Sequence, residues 1–158
     1  MLVLLSLIIA KRFNNFTGHS FTARLEYLCV AAAMIKAHPF FGSGLNTFGR
    51  VDYYFAPFTS IFSNYAHNSY AQLFAETGSA GFLAFMGIIF CVLRYGIELL
   101  RNIKGRDERL LSIGIMWAIT SFFIDNLFNC TLLYPQTSIF WWVALAIMFS
   151  FGRVKTQI

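Results

Sequence analysis

The polar residues best suited to chemistry lie in the segment 64–81, just before a long apolar run. Amide and carboxylate side chains recur there every four residues, at Asn64, Asn68, Gln72 and Glu76. In a helix this spacing places them on one stripe, with His67 on a neighbouring face. An imidazole titrates near neutral pH, so His67 is a candidate general base, with a hydrogen-bonded structural histidine as the alternative.

Two arginines supply the positive charge that an anionic substrate needs. A guanidinium group stays charged and binds phosphate through two hydrogen bonds. Arg24 and Arg50 are therefore candidates for binding a phosphate or pyrophosphate group. The alternative role is structural, because either side chain could reach lipid headgroups or pair with a nearby carboxylate, Glu26 or Asp52.

For each of the other polar residues near His67, two alternative roles stay open. Contact with a substrate and helix packing are equal alternatives for Asn68, Tyr70 and Gln72. Glu76 is predicted to bind a substrate hydroxyl or to orient a partner, with a surface carboxylate as the equal alternative. Structural roles in turns or close contacts are predicted for four glycines, Gly42, Gly44, Gly78 and Gly81.

Composition identifies an integral membrane protein. Of its 158 residues, 58% are hydrophobic and only 12% are charged, whereas a soluble domain carries about 25% charged residues. The net charge of +5 comes from basic residues that lie beside apolar runs. That arrangement fits the positive-inside rule for membrane proteins. Membrane lipids are therefore the expected surroundings, and no nucleic acid is expected as a partner.

Hydropathy predicts three complete spans and a remnant of a fourth. The complete spans are residues 79–100, 110–128 and 137–151, all within the unit 79–152, and the remnant is the run 1–10. A helix over 79–100 reaches about 33 Å, enough to cross a hydrocarbon core of about 30 Å. The remnant covers about half of that depth, which predicts a chain that is truncated at its N-terminus.

Basic residues orient the predicted spans. The loop 101–109 and the tail 153–158 fall on one side of the membrane, which the positive-inside rule assigns to the cytoplasm. The long segment 11–78 then lies on the extracytoplasmic side. The predicted fold class is an all-α, polytopic membrane helix bundle with a large extracytoplasmic helical loop.

The long segment 11–78 divides at a proline. Residues 21–37 predict an amphipathic helix that lies at the membrane surface or packs on the helix bundle, because four apolar residues share one face. They are Tyr27, Val30, Met34 and Ala37. His38-Pro39 ends the helix, since the residue before proline is pushed out of the α region. A glycine-punctuated loop follows at 40–50, and the aromatic residues of 52–63 suit a membrane interface.

No metal site is predicted. The three cysteines, Cys29, Cys91 and Cys130, are scattered and form no CxxC or His/Cys cluster. A Cys29–Cys130 disulfide would need both thiols to meet in the fold, and free thiols are favoured.

Several of these features together resemble a known family. His67-Asn68, followed after nine residues by Gly78-x-x-Gly81, is similar to the signature of the O-antigen ligase/polymerase membrane family. Upstream, Arg24 and the segment 34–48, MIKAHPFFGSGLNTF, resemble that family's arginine-containing helix and the glycine-rich stretch after it. The resemblance covers about residues 22–90.

This resemblance implies a metal-independent glycosyltransferase of the GT-C type, without a cofactor, in the bacterial inner membrane. Such an enzyme transfers a glycan from an undecaprenyl-diphosphate carrier to a glycan or lipid acceptor on the outer face. The products are lipopolysaccharide or other surface polysaccharides. Carried over by motif, the essential residues are His67 and Arg24 for catalysis and Arg50 for the pyrophosphate. Under this resemblance, the substrate that Asn68, Tyr70, Gln72 and Glu76 would contact is a sugar of the glycan.

Two other hypotheses remain open. The first is a truncated, inactive family member that serves as a membrane module or partner subunit, because members of the family usually have more spans. The second is a small transporter subunit, which predicts charged groups at mid-membrane, and the predicted spans carry almost none. Asp125, with Asn126 and Asn129, is expected to be solvated where its span leaves the membrane.

Overall fold

A computed structural model describes residues 21–50 and 63–154 of the chain. These residues form helices and turns and no strand, which confirms the all-α prediction. Four expectations lie outside the described residues: those for the apolar run 1–10, the polar residues 11–20, the aromatic residues 52–62 and the tail 155–158.

The described ranges contain four long helices. They are α1 at residues 21–37, α2 at Ser69–Asn102, α3 at Arg106–Asp125 and α4 at Pro135–Val154. A short 3-10 helix, Thr131–Leu133, connects α3 to α4. Residues 48–50 are also helical.

The helix α1 packs through the face that the sequence predicts. Tyr27, Val30 and Met34 are buried, whereas Ala37 at the end of the helix is exposed, so the prediction is wrong for that residue. The helix ends before His38-Pro39, as proline geometry requires. Its apolar face forms a cluster with the loop and the start of α2. The cluster consists of Tyr27, Val30, Ala31, Met34, Phe48, Ala66 and Ala75.

A second apolar cluster joins α2, α3 and α4. It consists of Val92, Leu99, Ile103, Met116, Ile119, Phe123, Trp141, Leu145 and Met148. Gly96 lets α2 and α3 approach closely, because a Cβ at this position would overlap the side chain of Met116. The Trp141 ring stacks on Phe122 with centroids 5.8 Å apart.

One helix among the described residues, α2, is long and apolar enough to cross a membrane. Gly78 interrupts it with φ 68° and ψ −171°, and residues 79–102 then continue for about 36 Å. The other two predicted spans fall on α3, which starts with four charged residues (Arg106, Asp107, Glu108 and Arg109), and on α4, whose apolar part Pro135–Phe151 is shorter. The count of three spans and their orientation stay predictions.

One predicted connection is shorter than expected, and the other is shifted along the chain. The basic loop 101–109 is reduced to residues 103–105, because Arg101 belongs to the last turn of α2 and α3 starts at Arg106. The connection between the predicted spans 110–128 and 137–151 is shifted, because α3 already ends at Asp125 and Pro135 is the first residue of α4. Its fixed φ suits the first helical position, where no amide hydrogen is needed.

Candidate functional site

Helix α1, which carries Arg24, contacts His67 just before the start of α2. The ring of Tyr27, which follows Arg24 by one turn, stacks on the His67 ring with centroids 5.5 Å apart. His67 stands before the N-cap residue Asn68 and has φ 53°. The helical stripe predicted from the sequence is therefore wrong at its start, since Asn64 and His67 both precede the helix.

Two causes lower the pKa of His67 below its ordinary value of 6.5. Burial of the ring is the larger cause, and the positive charge of Arg24 is the second. Both disfavour the charged imidazolium. At pH 7 the ring is therefore neutral and offers a nitrogen lone pair to an acidic proton. A general base needs this state.

Three predicted site residues donate hydrogen bonds to carbonyl oxygens at the end of α3. The pairs are Arg24 Nη1 to Phe128 O (2.6 Å), Asn68 Nδ2 to Leu127 O (2.9 Å) and Tyr70 OH to Phe123 O (2.8 Å). The carboxyl end of a helix carries partial negative charge, which favours a guanidinium group there. Because arginine has five N–H donors, one bond to a carbonyl does not exhaust its capacity for an anion.

A buried polar contact joins Ser69, the first residue of α2, to the residues that directly follow α3. The Ser69 N–H donates to Asn126 O at 3.0 Å, and Ser69 Oγ donates to Asn126 Oδ1 at 2.5 Å. The carboxylate of Asp125 accepts from Asn129 Nδ2 at 2.6 Å and from Thr131 Oγ1 at 2.7 Å. Asn126 is buried, whereas Asp125, the residue that was expected to be solvated, is half-buried.

Glu76 and Gln72 form a buried polar link inside the protein. The Glu76 carboxylate, only 4% exposed, accepts from the backbone N–H groups of Asn46 (2.8 Å) and Phe48 (3.1 Å). Gln72 Nε2 also donates to it at 3.1 Å, and Gln72 Oε1 accepts from Ala66 N–H at 2.9 Å. The link runs from the glycine loop to the residue before His67. Contact of these two side chains with a substrate stays a prediction.

Gly42 and Gly78 let the loop and the interruption of α2 meet back to back. Their φ values are +70° and +68°, and an added Cβ on either would overlap the backbone of the other segment. Four hydrogen bonds between backbone groups join the two segments: Ser43 N–H to Ala75 O, Gly44 N–H to Glu76 O, Ser79 N–H to Pro39 O and Ala80 N–H to Phe40 O. Gly44 also has a positive φ of 108°, and Gly81 packs on the Thr77 side chain.

A family model described as O-antigen ligase matches residues 1–86 of the 158 in the chain. This is more than half of the sequence, and it includes Arg24, His67 and Gly78. The chain belongs to the O-antigen ligase family. No curated protein and no solved structure gives a significant match.

In this O-antigen ligase family member, Arg50 lies apart from the contacts described above. It is exposed in the helical residues 48–50, and its backbone N–H donates to Thr47 O at 2.9 Å. Within the described ranges, no group of three His, Cys, Asp or Glu residues could hold a metal ion. Cys29 is exposed and Cys130 is buried, and both are free thiols, so the two do not form a disulfide.

Sequence reasoning missed three residues that build the surroundings of His67. Tyr27 was predicted only as part of an apolar face, but its ring stacks on the imidazole. Ser69 and Asn126 were not predicted to meet at all. The available signal was the pair of amides, Asn126 and Asn129, at the end of an apolar run, because such side chains often satisfy helix ends.

Proposed function

We propose that this O-antigen ligase family member is a membrane glycosyltransferase of the ligase or polymerase type. It transfers a glycan from an undecaprenyl-diphosphate carrier to a glycan or lipid acceptor on the outer face of the bacterial inner membrane. The observation that carries the proposal is that Arg24 and Asn68, the residue next to His67 at the start of an apolar helix, bond the adjacent carbonyls Phe128 O and Leu127 O. Family membership supports the glycosyltransferase type of activity.

His67 and Arg24 suit the two requirements of the reaction. His67 takes the proton of the acceptor hydroxyl as the oxygen forms a bond to the anomeric carbon of the donor. The bond from that carbon to the carrier diphosphate breaks, and the leaving diphosphate keeps the electron pair. Arg24 stabilises the negative charge that grows on its oxygens. Arg50 is the further candidate for the same diphosphate.

Neighbouring residues would define the place of the glycan. Asn68 and Tyr70 are predicted to contact it, and both side chains also bond carbonyls at the end of α3. For Gln72 and Glu76 we propose an indirect role. Their burial and their hydrogen bonds to backbone amides fit residues that position His67 and the glycine loop.

One observation favours a second candidate, an inactive family member that acts as a membrane module or a partner subunit. The guanidinium of Arg24 already binds Phe128 O, which is a structural contact that needs no substrate. In that case Arg24 and His67 hold α1 against α2 and α3. The two candidates differ in whether His67 is required for transfer or only for folding.

The test is glycan transfer in membrane vesicles that contain the full chain as the only added protein. The donor is an undecaprenyl-diphosphate-linked glycan, and the readout is release of undecaprenyl diphosphate. His67→Ala is expected to reduce the rate by about 10²–10⁴-fold at unchanged expression and thermal stability. A metal chelator is expected to leave the rate unchanged.

The matched control is His38→Ala, which removes an exposed histidine at the end of α1. It is expected to keep the wild-type rate. If glycan transfer survives His67→Ala, His67 is not the general base. If the wild-type chain shows no transfer, the result favours the inactive family member.

A further inference from the structure

The glycine loop exposes three large apolar side chains within six residues. Phe40 is 70% exposed, Phe41 is 85% exposed and Leu45 is 74% exposed. The other large apolar residue of this loop, Phe48, is completely buried. A contiguous group of exposed apolar side chains in a folded segment indicates contact with something other than water.

The loop cannot hide these side chains by folding back on itself, because its backbone is fixed to α2. The backbone of this segment is hydrogen-bonded to α2 near both ends. Phe40 O accepts from Ala80 N–H at 3.2 Å, and Gly44 N–H donates to Glu76 O at 2.9 Å. The Glu76 carboxylate holds the next turn through the amides of Asn46 and Phe48. The three side chains are therefore presented outward by a rigid backbone.

The hydrogen bonds also fix the depth of the loop along α2. They attach it to Ser79 and Ala80, the first residues after the interruption at Gly78. About 20 helical residues cross a hydrocarbon core of about 30 Å. If Arg101 lies at the headgroups on the far side of the membrane, the hydrocarbon core begins at about residue 81 on the near side. If the Arg94–Glu98 ion pair lies at those far headgroups instead, the core begins at about residue 74. Phe40 and Phe41 lie at or inside the boundary in either case.

We propose that Phe40, Phe41 and Leu45 form a hydrophobic wedge that inserts into the acyl chains of the membrane lipids beside α2. Lipid is the occupant that position favours, because α2 itself exposes Leu83 (66%) and Phe90 (64%) in the apolar run that follows the attachment of the loop at Ala80. The wedge thus continues a surface that the bilayer already covers. Aromatic and aliphatic side chains of this kind gain free energy when they leave water for the interface.

The wedge requires α2 to cross the membrane, but it does not require glycan transfer. Under the proposed function it would also set the height of His67 over the headgroups, through Glu76, Gln72 and Ala66. The test below measures lipid contact and not transfer, so the two proposals can fail separately.

The test is photo-crosslinking in the full chain, reconstituted in vesicles of phosphatidylethanolamine and phosphatidylglycerol. Benzoylphenylalanine replaces Phe40 or Phe41, and mass spectrometry identifies the adduct. Phe90, an exposed residue of α2, is the lipid-facing control, and Lys36, an exposed polar residue of α1, is the water-facing control. We expect phospholipid adducts at Phe40 and Phe41 in yields like that at Phe90 and at least several-fold above that at Lys36.

A second measurement avoids any substitution. Vesicles that contain a carbene-generating phospholipid are expected to label residues 40–45 of the wild-type chain. Adduct yields at Phe40 and Phe41 no higher than at Lys36 would overturn the proposal. So would adducts to a second copy of the chain, or, after the undecaprenyl-linked donor is added, adducts to its isoprenoid chain alone.

Discussion

Two regions of this O-antigen ligase family member are built in different ways. The apolar cluster of α2, α3 and α4 is held by side-chain packing, and two of its buried polar atoms, Ser112 Oγ and Trp141 Nε1, have no partner among the described residues. The polar end, which we define as residues 38–48, 66–80 and 125–132, is held by hydrogen bonds to buried side chains and by glycine contacts.

The difference shows where the molecule depends on exact geometry. Side-chain packing adjusts to small changes of volume at modest cost. A backbone that approaches another backbone at a glycine, or an amide that bonds a buried carboxylate, has no such tolerance. The candidate residue His67 lies at the polar end, and Arg24 donates a hydrogen bond to Phe128 O within it. Substitutions there should therefore report on the site, and those elsewhere on α2 should not.

The largest effect is expected for Gly78→Ala. The added Cβ would overlap the backbone of Phe40, and alanine is strained at φ +68°. Strain and overpacking together should lower the free energy of unfolding by about 4 kcal/mol. Denaturant unfolding in detergent measures it, and hydrogen exchange at the Ser43 and Gly44 amides, which bond α2, should show whether the loop detaches.

Gly87→Ala is the matched control on the same helix, because nothing lies within 4 Å of a Cβ there. Its higher helix propensity should leave stability equal or raise it by up to about 1 kcal/mol. Equal effects of the two substitutions would contradict the distinction between the polar end and the rest of α2.

A smaller effect is expected for Glu76→Ala. The substitution leaves two backbone amides and the Gln72 side chain without their buried acceptor. The expected loss is about 3 kcal/mol of unfolding free energy. Glu98→Ala removes the carboxylate of the exposed Arg94–Glu98 pair and should cost about 0.5 kcal/mol or less. A Glu76→Ala chain as stable as Glu98→Ala would show that the carboxylate does not anchor the loop.

The sequence was sufficient for local structure and insufficient for contacts between distant segments. Periodicity predicted α1 and most of its buried face, and hydropathy located residues 79–100 inside α2. The spacing of four residues also extended the predicted helix back through His67, because such a spacing does not reveal an N-cap. The contacts of Glu76 and Ser69 join residues 28 to 60 positions apart, and no local pattern encodes them.

The pH dependence of the site follows from the lowered pKa of His67. Its neutral form is the one that the folded protein favours, so general-base activity should be present at pH 7. It should disappear as the pH falls below 6.5 through that lowered value. The charge of Arg24 is the smaller cause of the shift, so its removal should raise the pKa of His67 only part of the way to the ordinary value.

Direct titration of the His67 imidazole by NMR in detergent micelles tests the paired site without relying on transfer. The wild-type chain should give a pKa below 6.5. Arg24→Gln should move the pKa part of the way back, since burial remains, and Arg94→Gln near the other end of α2 should leave it unchanged. A wild-type imidazole that titrates at or above 6.5, or one that does not respond to Arg24→Gln, would contradict the pairing of Arg24 with His67.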